Sequence, residues 1–300
     1  MLYFQSEENL TMLYKIVNFE TKVGNDVPKR IYDLHCGEQI PIYTISNIHD
    51  LTQFIGYGKY INNKVSNVYL RGQPELYNGK LIPSYLRNGT GKLKYSTITN
   101  YRHRIKKYIE SSSSFQQYDY RIFEPLIQHY GIKTLQIDCV DNIWVALWFA
   151  THKAKRKPIN GTEHIYFYPN NDEMSYILLI ASDALDKSKD IMGFYTGEIT
   201  NVVDLRKALP SYFLRPHAQH AYMIKKNDVM AYDYSDLIVG IAEIPTTKAL
   251  QWIGNGELLS TSTLFPSPVH DDGYAVIMKR FPQIDASEVN SYGSIQIIND

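Results

Sequence analysis

Four stretches of the chain carry apolar side chains three or four positions apart, the spacing of one face of an α-helix. They are residues 44–55, 96–117, 120–130 and 143–150. Ser46 or Asn47 can cap the first helix and Asp141 or Asn142 the last, because a short polar side chain accepts a hydrogen bond from a free backbone N–H. Gly131 suits the position that closes the third helix, because glycine adopts positive φ without strain.

Short runs rich in β-branched and aromatic residues predict strands around these helices. The predicted strands are residues 13–19, 29–35, 68–71, 134–139, 164–168, 176–181, 222–225 and 237–244. The turn signal at Pro169–Asp172 predicts that the strands on either side of it pair as a hairpin. Residues 183–210 are predicted to be irregular. Because no linker or repeat interrupts the pattern, we expect one α+β domain with a split mixed or antiparallel sheet flanked by helices.

Composition and charge narrow the class of protein. Lysine and arginine balance aspartate and glutamate, which argues against a general nucleic-acid binder. Cys36 and Cys139 form no CxxC pair, and His217 and His220 have no further ligand at a known spacing, so we expect neither a disulfide scaffold nor a metal. No apolar run reaches the length of a membrane span and no signal peptide is evident, so a cytoplasmic location is expected.

Arg71 stands where a predicted strand meets a glycine, in the run Val68-Tyr69-Leu70-Arg71-Gly72-Gln73. Its planar fork of donors suits a phosphate or a carboxylate. Gly72 indicates that the strand ends or bends there, or that another backbone approaches closely. We expect Arg71 to be exposed at the strand end, where a substitution changes stability by about 0.5 kcal/mol or less.

Further motifs follow Arg71–Gln73 in a fixed order. They are Pro83–Arg87, then Gln128–Asp138 with its Gln-His-Tyr-Gly start, then Ala146–Ala150. In this order the chain resembles the FRG domain family, named for its Phe/Tyr-Arg-Gly motif, over roughly residues 44–280. Residues 1–43 are then an N-terminal extension, in which residues 2–6 resemble the remnant of a protease-cleavable tag, and residues 281–300 are a tail.

The resemblance implies a fold similar to that of the ADP-ribosyltransferases, which hold NAD at three places on a split sheet. In that fold Arg71 would grip the dinucleotide. Thr134 and Asp138 would lie at the nicotinamide pocket, and Arg215 with Gln219 would lie near the nicotinamide ribose. The resemblance also places Gln73 and His129 among the dinucleotide contacts, and for His129 a hydrogen bond at a helix end is favoured over a general-base role.

The expected reaction is cleavage of NAD, which acts as a substrate and transfers ADP-ribose to a protein, a nucleic acid or water. Asp138 and Gln219 are the expected catalytic residues, but Gln219 carries no charge, and Leu135 replaces an arginine that is usual in the family. Asp138 either supplies the carboxylate that stabilises the positively charged ribose or is a structural acceptor. Two functions therefore stay open: an NAD-consuming bacterial toxin or anti-phage effector, and a silent module that binds a nucleotide or a protein.

Overall fold

A mixed β-sheet of ten strands is the framework of the computed structural model, which describes residues 14–19, 27–87, 95–110, 116–159 and 162–280. The strands are β1 (Lys29–Asp33), β2 (Gln39–Thr44), β3 (Asn67–Gln73), β4 (Ile137–Val140), β5 (His152–Ile159), β6 (Thr162–Pro169), β7 (Met174–Ser182), β8 (Asp186–Lys187), β9 (Phe194–Thr196), β10 (Thr200–Asp204), β11 (Ala221–Lys226) and β12 (Ile238–Pro245). The order across the sheet is β1-β2-β12-β7-β3-β4-β11-β10-β9-β8, and β5 pairs with β6 in a separate sheet. Only β2 and β12 run parallel among these pairs.

Helices flank this sheet and make the fold a single α+β domain, as predicted. They are α1 (Ile48–Asn62), α2 (Tyr95–Glu110), α3 (Tyr120–His129), α4 (Ile143–Thr151), α5 (Leu205–Ala208), α6 (Leu214–Ala218), α7 (Thr246–Trp252), α8 (Thr261–Leu264) and α9 (Asp272–Arg280). The predicted caps are confirmed: Asn47 accepts a hydrogen bond from the backbone of His49, and Asn142 accepts from that of Trp144. Gly131 follows α3 with a φ of 102°.

Two apolar cores hold these layers together. The larger core packs α1, α4 and α7 onto β2, β3, β7 and β12, and it contains the fully buried Trp148. The smaller core joins α3 and α9 to β10 and β11 around Phe123 and Phe213. Helices α1, α4 and α7 thus pack on one part of the sheet, and helices α3 and α9 pack on the other.

The structure corrects several predicted elements. Strand β6 pairs with β5 instead of β7, because β7 is taken up between β3 and β12 in the large sheet. Strand β4 begins at Ile137 instead of residue 134, residues 183–210 include β8, β9 and β10, and residues 14–19 form no strand. The predicted tag remnant at residues 2–6, residues 111–115 of the second predicted helix and the predicted tail at residues 281–300 lie outside the described residues.

Strand β3 has very different neighbours on its two edges. Toward β7 it is paired over its whole length, from Asn67 with Ser182 to Gln73 with Tyr176. Toward β4 it is paired at Leu70 and Val140 alone. The two halves of the large sheet are therefore joined at its centre by a single residue pair.

Gly72 explains how helix α4 comes close to this junction. The backbone of α4 lies so near that a Cβ atom added to Gly72 would overlap the carbonyl group of Ala146 and the backbone nitrogen of Ala150. The close approach expected of Gly72 is thus found, although β3 continues beyond it to Gln73. A larger residue here would push the helix away from the sheet.

Candidate active site

A cavity of about 260 Å³ lies beside the point where β3 and β4 separate; we call it the central cavity. Strand residues Leu70–Gly72 and Asp138–Val140 form one part of its lining. The polar side chains in the lining are those of Arg71, Gln128, His129, Asp138, Arg215 and Gln219, and the aromatic ones are those of Phe149, Phe167, Phe265 and Tyr274. Five of the seven predicted site residues are therefore brought together here from distant parts of the chain.

Arg71 reaches across the gap between β3 and β4. Its Nη1 donates a hydrogen bond of 2.6 Å to the backbone carbonyl oxygen of Asp138. If the antiparallel ladder continued beyond Leu70 and Val140, Gly72 would face Asp138, so the guanidinium takes up a carbonyl that the interrupted ladder leaves open. The Arg71 Nε is buried and has no partner among the described residues, so this side chain still has a donor to offer a ligand.

The Asp138 carboxylate is held by a relay of side chains from α3 and the segment before β4. Gln128 Nε2 donates to Asp138 Oδ2 at 2.7 Å, and the hydroxyl of Thr134 donates to Gln128 Oε1. Thr134 in turn accepts from the backbone N–H of Gln136 at 3.2 Å. The carboxylate side chain remains 47% exposed, so it is oriented from behind and open to the cavity in front.

Thr134, which is predicted to lie at the nicotinamide pocket, is not part of the lining of the central cavity. It is fully buried and acts through Gln128. Gln73 also lies outside the cavity and lines a neighbouring pocket that contains Arg71 as well. Since side chains along a strand alternate between two faces, Gln73 shares the face of Arg71 and lies one step further along it.

His129 is a neutral imidazole in the wall of the cavity. Burial lowers its pKa to about 4, the charge of Arg215 adds to this lowering, and the nearby Asp138 works against it. The distance from His129 Nε2 to Asp138 Oδ1 is 3.8 Å, and Nε2 is buried without a hydrogen-bond partner among the described residues. At pH 7 this side chain therefore adds no positive charge beside Asp138.

Arg215 is buried in an aromatic cage. Its guanidinium carbon lies 4.9, 4.6 and 5.3 Å from the ring centres of Tyr130, Tyr274 and Phe265, within cation–π range. Its Nη1 donates to the carbonyl oxygen of His129 at 2.7 Å, whereas Nε and Nη2 have no partner among the described residues. No salt bridge of this guanidinium is found among the described residues, although the fully buried Asp271 accepts from the Arg215 backbone N–H at 3.0 Å and from the Tyr130 hydroxyl at 2.8 Å. The donors left free on a buried guanidinium beside a cavity suit an anionic ligand.

Gln219 is held by the scaffold more firmly than expected for a ribose contact. Its Nε2 donates to the carbonyl oxygen of Leu264 at 2.8 Å, and the residue is 4% exposed. A glutamate here would direct a carboxylate at that carbonyl oxygen, which is unfavourable in a buried position. Gln219 therefore lies in the cavity wall with its Nε2 engaged by the scaffold, and its predicted catalytic role stays a prediction.

Asp138 is the only carboxylate among the described residues that line the central cavity. The other ionisable groups in the lining are the two guanidinium groups, the neutral His129, and Cys139 and Tyr274. Burial raises the pKa of the Cys139 thiol to about 12, which makes it a poor nucleophile. The arrangement combines two anion-binding cations with one exposed carboxylate.

Gln128 and the aromatic residues Phe265 and Tyr274 belong to the site but were not among the predicted site residues. The position of Gln128 next to His129 in the Gln-His-Tyr-Gly motif was the available signal, because consecutive residues at a helix end can both face a strand. The aromatic residues come from α9 and the segment after α8. The available signal for Phe265 was the run Leu264-Phe265-Pro266, which resembles a closing element of the FRG family, whereas Tyr274 reaches the cavity through the tertiary fold.

The comparisons with known proteins identify part of this region. Residues 66–158, about a third of the chain, match the family model described as FRG domain, so the chain contains this domain. The segment includes Arg71, Gln128, His129 and Asp138, whereas the Arg215 wall lies beyond it. No curated protein and no solved structure matches the chain.

None of the helices among the described residues combines the length and the apolar character needed to cross a lipid bilayer. No group of three or more histidine, cysteine, aspartate or glutamate side chains is arranged there to hold a metal ion.

Proposed function

We propose that this protein consumes NAD by breaking the bond between nicotinamide and ribose, as an ADP-ribosyltransferase or an NAD glycohydrolase does. The observation that carries the proposal is the combination in one cavity of a single exposed carboxylate, Asp138, with two guanidinium groups that have donors to spare, those of Arg71 and Arg215. The resemblance to the ADP-ribosyltransferase fold supplies the reaction class, and the cavity supplies groups that suit it.

The chemistry requires a negative group beside the ribose. As the bond to nicotinamide breaks, its electron pair leaves with the nicotinamide and positive charge builds on the ribose. A preorganised carboxylate stabilises that charge, and we assign this role to Asp138, oriented by Gln128. Because His129 is neutral, it does not oppose the developing charge. Water or an acceptor group then bonds to the ribose carbon and releases its proton to solvent.

The anionic part of NAD is its pyrophosphate. Arginine binds phosphate oxygens through two parallel hydrogen bonds, and Arg71 and Arg215 together can neutralise two negative charges.

Free thiols at Cys36 and Cys139 support a reducing compartment such as the cytoplasm. The role as a bacterial toxin or anti-phage effector, with a protein or nucleic acid as acceptor, belongs to the same proposal and rests on the resemblance.

The test is nicotinamide release from NAD by the purified protein. Asp138→Asn keeps an oxygen that can accept from Gln128, so we expect its melting temperature to be close to that of wild type and its turnover to fall about a hundredfold. Asp186→Asn, an exposed substitution on β8, is the matched control and should behave as wild type. Absence of release by wild type, or equal release by Asp138→Asn, would refute the proposal.

One observation favours a second function, a module that binds a nucleotide without cleaving it. Arg71 and Gln219 both donate hydrogen bonds to backbone carbonyls, so two of the three predicted positions are engaged in holding the fold. In that case NAD binds, no nicotinamide appears, and Asp138→Asn lowers the melting temperature. Binding and release measured on one preparation separate the two functions.

A further inference from the structure

A second pocket of about 190 Å³ adjoins the central cavity; we call it the basic pocket. Arg71 lines both the central cavity and the basic pocket, so its side chain lies between them. Lys80 and Arg87 add two further cationic side chains, and no carboxylate is present in the described lining. The nearest acid along the chain, Glu75, is paired with Lys153 at 3.1 Å. A pocket that is lined by cationic side chains and has no carboxylate in its described lining attracts an anionic group.

The basic pocket also contains polar groups that the fold leaves unused. Gln73 is 4% exposed, and its Nε2 has no hydrogen-bond partner among the described residues. The Nε atom of Arg71 is also buried and also has no hydrogen-bond partner among the described residues. The Lys80 ammonium group has no ion pair or hydrogen bond within the described residues, although the Lys80 backbone N–H donates to the carbonyl oxygen of Tyr77 at 3.2 Å. Arg87 Nε donates to the carbonyl oxygen of Ile82 at 3.0 Å. Buried donors without partners are rare in folded proteins and indicate a ligand acceptor.

An aromatic ring and an aliphatic wall complete the basic pocket. Tyr77 is half-exposed and adopts a φ of 50°, a left-handed conformation that is unfavourable for a tyrosine. The 3₁₀ turn Tyr77–Gly79 holds it there, followed by Leu81 in the pocket wall. A flat ring beside apolar carbon suits a planar base, because stacking on aromatic side chains stabilises bound nucleobases.

Neither cavity alone reaches the size of about 300 Å³ at which small-molecule sites begin, but the two together do. An elongated ligand with negative charge near Arg71 and a ring system at each end would suit the cations and aromatic side chains of the two linings. A dinucleotide has this form. A mononucleotide would fill one cavity and leave the donors of the other unsatisfied.

We propose that the basic pocket binds the adenosine monophosphate half of the dinucleotide, with Arg71 on the pyrophosphate and the nicotinamide half in the central cavity. This inference rests on the proposed function. Lys80 contacts phosphate, the ring of Tyr77 stacks on adenine, and Gln73 Nε2 donates to an adenine ring nitrogen, which is an acceptor. The basic pocket is thus the part of the site that distinguishes an adenine dinucleotide from other anions.

Calorimetric titration of AMP, nicotinamide mononucleotide and NAD into the full chain tests this assignment. Gln73→Leu removes the amide donor, and we expect AMP and NAD to bind about tenfold more weakly, the effect of one lost buried hydrogen bond. Lys80→Gln is an exposed substitution that leaves the fold unaffected, and it should weaken both about fivefold. Affinity for nicotinamide mononucleotide should stay within about twofold in both variants. Lys64→Gln, an exposed lysine at the other end of β3, is the control.

The outcomes separate this inference from the proposed function. If AMP competes with NAD and loses affinity in Lys80→Gln while no nicotinamide is released, the basic pocket stands and the enzyme proposal fails. If nicotinamide is released but AMP affinity is the same in wild type and Lys80→Gln, the assignment of this pocket is wrong. An equal loss of affinity for nicotinamide mononucleotide and AMP in Lys80→Gln would also overturn it.

Discussion

The two edges of β3 show how one strand serves two purposes. On the β7 edge the pairing is continuous from Asn67 to Gln73, and the strand is fixed in the centre of the sheet. On the β4 edge it is limited to Leu70 and Val140, and the space beside that pair is the central cavity. Continuous pairing satisfies backbone groups with each other, whereas interrupted pairing leaves them to side chains and ligands. The same strand is therefore structural on one edge and open to a ligand on the other.

This contrast explains why the candidate site residues Arg71 and Asp138 meet at the centre of the sheet. The β7 edge positions Arg71 rigidly, and the gap toward β4 gives its side chain somewhere to reach. Sites supported by strands are held more precisely than sites on loops.

Gly72→Ala should cause the largest loss of stability. The added methyl group meets backbone atoms of α4, which cannot rotate away, so we expect the free energy of unfolding to fall by about 3 kcal/mol. Gly56→Ala is the matched control, because that helical glycine has open space around it, and it should gain about 0.5 kcal/mol. Urea denaturation of both variants gives the comparison. A Gly72→Ala protein as stable as wild type would show that α4 does not pack as closely as described.

His129 predicts a specific dependence of stability on pH. Because burial lowers its pKa to about 4 in the folded state from an unfolded value of about 6.5, the unfolded chain binds a proton first as the pH falls. Its contribution is complete above pH 6.5 and is lost as the pH falls toward 4. Between pH 7 and pH 5 wild type should lose about 2 kcal/mol that His129→Gln does not lose. Parallel curves for the two proteins would mean that the imidazole is not buried in the neutral form.

Arg71→Ala should cost more than the 0.5 kcal/mol expected for an exposed arginine. The substitution leaves the Asp138 carbonyl oxygen without its donor in the gap between β3 and β4, which costs about 1 to 2 kcal/mol. Arg30→Ala, which removes a half-exposed partner of Glu243 on the edge strand β1, is the control and should cost less than about 1 kcal/mol. Chemical denaturation measures both. Equal losses would contradict the bridging role of Arg71.

Arg215→Met should change stability the least of these variants and should abolish the binding of NAD. The lost hydrogen bond to His129 and the lost aromatic contacts are offset because an unpaired guanidinium no longer has to be buried, so we expect a change within about 1 kcal/mol. NAD affinity should fall below detection. A variant that binds NAD normally would show that the Arg215 cage is a structural device.

The sequence predicted the elements that have strong local signals and missed those that depend on distant partners. A few adjacent residues were enough to predict the helix caps at Asn47 and Asn142 and the closing glycine at Gly131. The pairing of β6 was predicted wrongly because a turn signal says where a chain can reverse, not which partner competes for the strand. Sheet order is decided by burial across the whole fold, which no local pattern contains.

The candidate site likewise contains residues that were predicted from local motifs and residues that were not. Arg71, His129 and Asp138 were recognised from an ordered set of motifs, and the structure brings them into one cavity. Thr134 lies behind the lining and bonds to Gln128, because a local pattern cannot tell a residue that lines a cavity from one that orients its neighbour. Gln128 was not predicted as a site residue because the helical pattern does not show which of its polar residues face the cavity. The basic pocket arises from a turn and a loop, for which side-chain directions follow no period.

The most direct test of this account is calorimetric titration of NAD into wild type, Arg71→Lys and Arg71→Ala. Arg71 is proposed to bind the pyrophosphate through two parallel hydrogen bonds, which a lysine cannot reproduce. We therefore expect binding by wild type and a loss of affinity of at least about tenfold in both variants, with both proteins still folded. Equal affinity in all three proteins, or no binding of NAD by wild type, would contradict it.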